Sequence, residues 1–247
     1  PNVGIVPLPD RRLDMLQDIV ISKKIIPTTL DLVDIAGLVK GASQGEGLGN
    51  AFLSNIREMQ ALAHVVRCFE DQNITHVDGS VDPVRDAEII NLELIFADLE
   101  SVLKRLMKTE KLLKTSDQQN KKDHEVLNRI KSELESGKFI SLESFDDEEK
   151  AFVKSLHLLT IKPMFYIANV SDDSRSKELL NSLEDFARNL NHDVVPTFIK
   201  IEQEIALLED EERSEYLELM EMDEPVLNKI IFEGYKLLGL KTFFTAG

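Results

Sequence analysis

The sequence predicts an α/β protein: a mostly parallel sheet with helices on both faces and an inserted antiparallel helical coiled-coil hairpin. Two observations carry this. Short, β-branched apolar runs bounded by Pro, Gly or Asp alternate with amphipathic runs, the grammar of a parallel sheet whose crossovers are helices. Between residues 88 and 155 that alternation stops, and apolar residues recur at steps of three and four, the period of packed helices.

The elements follow in order. Val3 to Val6, Leu30 to Ile35 and Leu62 to Phe69 read as buried strands. A glycine-rich loop, GLVKGASQGEGLGN, runs from Gly37 to Asn50, and AFLSNIREMQALA after it suits a helix. In the interrupting segment, Leu92, Ile95, Leu99, Val102, Leu106 and Leu113 form one seam broken at Thr109. Leu127, Ile130 and Leu134 continue it in a second helix that Gly137 stops. The polar stretch TSDQQNKKD separates the two helices.

Strand and helix then resume with PMFYIANV (Pro163 to Val170), a helix from about Lys177 to Leu190, and VVPTFIKI (Val194 to Ile201). An acidic helical stretch from Glu202 to Glu224 and a last helix from about Pro225 to Leu238 complete the chain. The hairpin is thus an insertion in one α/β domain: residues 1–87 are its first part, 88–155 the hairpin, and 156–247 its second part.

Composition narrows the function classes. A hydrophobic fraction of 43% over 247 residues excludes a wholly disordered chain, and no apolar run approaches the roughly 18 to 20 residues that span a bilayer. The single cysteine, Cys68, forms no internal disulfide and reads as a small core residue. No secretory leader is recognisable, so a cytoplasmic protein without a membrane partner is the expectation. The histidines His64, His124, His157 and His192 show no zinc spacing. The net charge of −16 argues against a surface that grips nucleic acid as a whole.

The sharpest local signal is LDLVDIAG. An apolar strand ending in Asp34 with Gly37 three residues on puts a carboxylate, then a backbone NH, at the carboxyl edge of a sheet. In P-loop NTPases that carboxylate orients hydrated magnesium and the glycine NH contacts the γ-phosphate. An ordinary strand-ending turn has the same pattern. Gly41, Gly45, Gly47 and Gly49 follow, and a loop that orders around a phosphate and relaxes again is one reason to keep so many flexible positions; a long surface loop is the other.

DIAGLVKGASQGEGLGNAFL, RCFEDQNITHVDG, YIANVSD and YKLLGLKTFFTAG together resemble the YchF family of Obg-like ATPases, across essentially the whole chain. Ala36, where the Obg branch usually carries proline, is closer to YchF. The resemblance implies a P-loop NTPase-type core that hydrolyses ATP more readily than GTP, an inserted coiled coil and a C-terminal TGS domain. It assigns Asp34 to magnesium (Mg2+) through water and Gly37 to the γ-phosphate. Asn169, Val170 and Asp172 are assigned to the base. GTPases use NKxD there, and Val170 stands in place of the lysine. Asp172, where the family usually has Glu, suits guanine as well, and NVSDD is also an ordinary strand end followed by a helix cap.

Leu38, directly after the DxxG glycine, cannot orient a water as the glutamine of many GTPases does. His76, in EDQNITHVDG, is the candidate for that task, with a solvated bystander as its plain alternative. Potassium (K+) assists some NTPases that lack the glutamine and is the further cofactor left open here.

No GxxxxGK followed by Ser or Thr occurs, so this polypeptide is expected to bind nucleotide poorly by itself. The function expected is that of a parent protein carrying the phosphate loop before Pro1 and the TGS domain after Gly247. Lys104, Arg105, Lys108, Lys111, Lys114, Lys121 and Lys122 outnumber Glu110 and Asp117, giving the hairpin segment a charge of +5. A ribosome, through its RNA, is the expected partner; a solvated helical face is the competing reading. The function is therefore an ATPase switch acting with ribosomes, or a ribosome- or protein-binding module with vestigial hydrolysis, or a GTPase.

Overall fold

The computed structural model describes residues 2–20, 24–35, 48–113, 118–220 and 222–245. Its backbone divides into two compact units: Pro1–Asp34, Ala63–Val84 and Pro163–Gly247 form a sheet unit, and Ile35–Leu62 with Arg85–Lys162 form a helical unit.

The sheet unit begins with strand β1 (Asn2–Pro7), helix α1 (Arg11–Ile19) and strand β2 (Thr29–Asp34). β1 and β2 pair antiparallel, from Asn2 opposite Asp34 to Pro7 opposite Thr29. The expectation that Val3 to Val6 is a buried strand fails, since Val3 is 60% and Ile5 67% exposed. A two-stranded ribbon offers its side chains only two flanks, and among the described residues no third strand pairs with it.

Strand β3 (Leu62–Cys68) belongs to a second sheet, in the order β3-β4-β5. Its central strand β4 (Met164–Val170) runs parallel to β5 (Val194–Thr197), with Tyr166 opposite Val194 and Asn169 opposite Thr197. Five consecutive β4 residues are buried, as a strand covered on both faces requires. Phe165 and Ile167 pack with Val195 and with Ile230 of helix α9 (Val226–Leu237). On the alternate face Tyr166 lies 6.3 Å from Phe186 of helix α6 (Ser174–Asn189), between ring centroids. One helix therefore covers each face.

The β5 strand is shorter than the expected Val194 to Ile201, because helix α7 (Ile199–Ala206) begins almost at once. Helix α8 (Asp210–Leu219) carries the middle of the acidic stretch. The carboxylate of Glu202 accepts the backbone NH groups of Val226 (2.8 Å) and Leu227 (3.1 Å). It thereby caps α9, whose N-cap residue Pro225 has no side-chain donor or acceptor.

The helical unit holds α2 (Leu48–Glu58), α3 (Pro83–Leu112), α4 (Gln118–Glu135) and α5 (Asp147–Ser155). By backbone, α2 starts at Leu48, ahead of the expected boundary after Asn50, and ends before Ala61. The hairpin seam is real but shifted. Ile95, Val102 and Leu106 of α3 share one core cluster with Val126, Leu127, Ile130 and Leu134 of α4. Leu92 is 43% exposed, and Thr109, the expected break, is buried with its hydroxyl donating to Arg105 O at 2.9 Å. Satisfying the hydroxyl on its own helix lets threonine occupy the seam without an orphaned donor.

The hairpin is also more than two helices, since Phe145 and Val153 enter the same cluster and bring α5 onto α4. Arg129 of α4 staples that contact: it pairs with Glu149 at 2.6 Å, donates to Ser144 O at 2.7 Å and lies 4.7 Å over the Phe145 ring. The stop after α4 is as expected. Gly137 adopts φ +75°, and the NH of Lys138 returns to Glu133 O at 3.1 Å, closing the helix with the left-handed residue that glycine tolerates.

Candidate functional site

The candidate residues come from three strand exits. Asp34 is the last residue of β2 and is exposed. Gly37, Gly41, Gly45 and Gly47 lie outside the described residues, as does Lys114. Asn169 and Val170 end β4, both half-buried, so the central strand delivers them to its carboxyl edge, where parallel sheets place ligand-binding loops.

Beyond Val170 the two aspartates divide the work. The Asp173 carboxylate accepts Ser176 NH at 2.8 Å and the Ser171 hydroxyl at 2.5 Å, which makes it the N-cap of α6. The Ser171 bond first and the Ser176 NH next, with lesser help from the Arg175 NH and Lys177, hold its carboxyl below the usual carboxylate range against the opposing effect of burial. Asp172 is not consumed by capping; its side chain is 87% exposed, with Lys177 Nζ 3.5 Å away.

The β3 exit leads into the loop carrying His76. Arg67 organises it, donating to the carbonyls of Phe69 (2.9 Å), Ile74 (3.1 Å) and Asp71 (3.4 Å) while stacking 4.7 Å over the Phe69 ring. His76 is half-buried; its Nδ1 accepts the NH of Asp78 at 3.2 Å, and its carbonyl accepts the NH of Gly79 at 3.1 Å. The imidazole therefore helps close a turn, with Gly79 at φ +77° supplying the left-handed conformation.

The β3 and β4 exits are tied together. Ser176 Oγ donates to Cys68 O at 2.6 Å, and Arg175 pairs with Glu70 at 3.1 Å. A cleft of about 1360 Å³ in the sheet unit lies elsewhere; its walls include Leu8, Arg12, Phe232, Tyr235 and Lys241 and none of the candidate residues.

Two charged groups of the helical unit were invisible to motif reading. Asp98, fully buried in α3, accepts the NH groups of Leu159 and Thr160, both at 2.8 Å, and the Thr160 hydroxyl at 2.7 Å. Burial pushes its carboxyl above the usual range, with these bonds and Arg57 at 3.9 Å acting in the opposite sense. Lys162 donates to the carbonyls of Arg57 and Met59. An acid within the apolar run LIFADLE was the only available signal.

On α3, Lys104, Lys108 and Lys111 are exposed and follow one another at steps of four and three, like the buried residues Val102, Leu106 and Thr109. Arg105, Lys121 and Lys122 are also exposed. Lys104 is paired with Glu100, and Lys122 with Glu148 at 2.9 Å, so part of the positive charge is compensated.

Comparison with known proteins decides the family. A model described as "50S ribosome-binding GTPase" matches residues 16–200. The "Ribosome-binding ATPase YchF" of Bacillus subtilis (strain 168) is 49% identical over 251 residues, covering all of this chain and 69% of that protein. The chain belongs to the YchF family. The protein of the same name from Escherichia coli O157:H7 is 47% identical over 248 residues, covering all of this chain and 68% of that one. The solved Schizosaccharomyces pombe YchF GTPase matches with a TM-score of 0.84 at 34% identity, over all of this chain and 68% of its own. This YchF chain accordingly has the P-loop GTPase-domain fold. The bacterial relatives are called ATPases, whereas the family model and the solved structure are called GTPases. Among the described residues no helix is long and apolar enough to cross a membrane.

Proposed function

We propose that this chain forms the nucleotide-binding switch of an ATPase that acts with ribosomes and takes ATP in preference to GTP, hydrolysing it to ADP and phosphate in the cytoplasm. The observation that carries the reading is Asn169-Val170-Ser171-Asp172 at the exit of the central strand in a member of the YchF family. Valine in place of the NKxD lysine removes the long stem that packs beside guanine. Residues 1–87 and 156–247 are read as the two parts of the nucleotide domain, and 88–155 as the inserted hairpin.

Asp34 fits magnesium held through water, because an exposed carboxylate at a strand end is a hard, acceptor-only group able to bond ordered water. When bound, the ion neutralises phosphate charge. The chain's own residues orient: Gly37 offers its NH to the γ-phosphate, and His76 positions the attacking water.

Titration of the intact protein with ATP and GTP, with magnesium present, tests the reading. Equal affinities would overturn the preference for ATP, and binding of neither would leave a ribosome- or protein-binding module. His76→Ala is expected to lower turnover by about 100-fold, the scale of a lost acid–base or water-positioning group; unchanged turnover removes His76 from the mechanism.

A GTPase is the second reading, favoured by Asp172: with Asp173 capping α6, Asp172 is left to accept from a guanine edge as the NKxD aspartate does. For the partner, reversing Lys108, Lys111 and Lys121 to Glu is expected to weaken ribosome binding and flatten its dependence on salt. Unaltered binding would make the hairpin lysines a solvated face.

A further inference from the structure

Ser176 lies in the first turn of α6, where a serine is ordinarily wet, yet it is 1% exposed. Its hydroxyl is used in both directions. It donates to the carbonyl of Cys68, the last residue of β3, at 2.6 Å across 108 residues, and it accepts the NH of Ser171, the first residue after β4, at 2.9 Å. We propose that Ser176 is a positioning residue for nucleotide choice, fixing the Asn169–Asp172 segment against the end of β3. This rests on reading that segment as the reader of the base.

Three local bonds close a ring around the segment. Ser171 NH meets Ser176 Oγ, the Ser171 hydroxyl meets Asp173, and Asp173 in turn accepts Ser176 NH. Asp172 sits inside this ring, so its backbone has little freedom to drift while its side chain remains outside. The bond to Cys68 anchors the ring to the sheet. A second tie, Arg175 to Glu70 at 3.1 Å, is half-exposed on both sides, and exposed ion pairs hold geometry weakly. The buried hydroxyl therefore carries the constraint.

Its effect is on selectivity more than on affinity. Adenine and guanine differ in the donors and acceptors along one edge, and a polar site rejects the wrong pattern only if its own groups cannot shift to accommodate it. A segment released from β3 accepts both bases with less discrimination.

The test measures ATP and GTP affinities of the intact protein. Ser176→Ala is expected to reduce the ATP-to-GTP affinity ratio about fivefold, in keeping with the loss of buried hydrogen bonds. Ser176→Thr, which keeps the hydroxyl, holds the ratio within about twofold. Leu183→Ala, which opens a cavity on the buried face of the same helix, lowers the melting temperature and leaves the ratio alone, separating positioning from general helix stability. Ser176→Cys, a weaker donor and acceptor of similar size, moves the ratio in the same direction as alanine and serves if the alanine variant does not fold. An unchanged ratio in Ser176→Ala or Ser176→Cys, with nucleotide binding lost in Asn169→Ala, overturns the positioning role and leaves the base-reading segment standing. No effect from Asn169→Ala overturns both.

Discussion

The helical unit and the strand exits of the sheet unit are held by different chemistry. α3, α4 and α5 share an apolar cluster that includes Val102, Leu127, Ile130 and Val153, where free energy scales with buried area and no single contact decides the geometry. The exits of β3 and β4 are held by named polar atoms: Arg67 on three carbonyls, Asp173 on the α6 NH groups, and Ser176 between Cys68 and Ser171. Apolar packing tolerates change in small steps, whereas a hydrogen-bonded loop keeps one geometry until a bond is lost.

The largest effects test the apolar side of the contrast. Ile130→Ala removes a fully buried side chain from the hairpin cluster and is expected to cost about 3 to 4 kcal/mol in denaturant unfolding, with no change in the ATP-to-GTP ratio. A shift in that ratio would show that the two regions are coupled.

Asp98→Ala is next, at about 3 kcal/mol, because it leaves the NH groups of Leu159 and Thr160 and the Thr160 hydroxyl without their buried acceptor. It makes the helical unit depend on one polar residue after all, and a loss below about 1 kcal/mol would place that unit wholly on the apolar side.

A smaller effect comes with pH. His64 of β3 lies 5.4 Å from the Tyr166 ring, between centroids, and burial lowers its pKa to about 4. The unfolded chain, with an ordinary histidine pKa near 6.5, binds this proton more readily than the folded one. His64 is thus without effect above about pH 6.5, and stability declines as pH falls from there towards about 4. The residue keeps some solvent contact, so the loss is about 2 kcal/mol, below the full linkage value. Denaturation of wild type and His64→Phe at pH 7 and 4.5 should show the larger decline in the wild type, with His192, also lowered by burial, contributing equally to both.

The order of strands and helices was legible because burial imposes period: PMFYIANV and the Val102–Leu106 seam announce their partners by spacing. The exposed β1–β2 ribbon was misread because β-branched residues mark strands irrespective of how many layers cover them. For the candidate site, the family resemblance assigned Asn169, Val170 and Asp172 to the base, since by residue type alone the segment is an ordinary strand end and helix cap. Ser176 was passed over, since a serine early in a helix looks like any other until Cys68 O, 108 residues away, is brought to it. The division between Asp172 and Asp173 was equally hidden, because capping depends on where α6 begins, and it begins at Ser174, three residues before the expected Lys177.

The aromatic cluster around β4 makes the sheet unit observable by light. The chain has no tryptophan and three tyrosines. Of these only Tyr166 is fully buried, with the imidazoles of His64 and His192 at 5.4 Å and 5.8 Å and Phe186 on a third side. Near-ultraviolet dichroism therefore has one strongly immobilised chromophore, seated three residues before Asn169 on the same strand. Unfolding followed at that band would read the central strand directly, without a label.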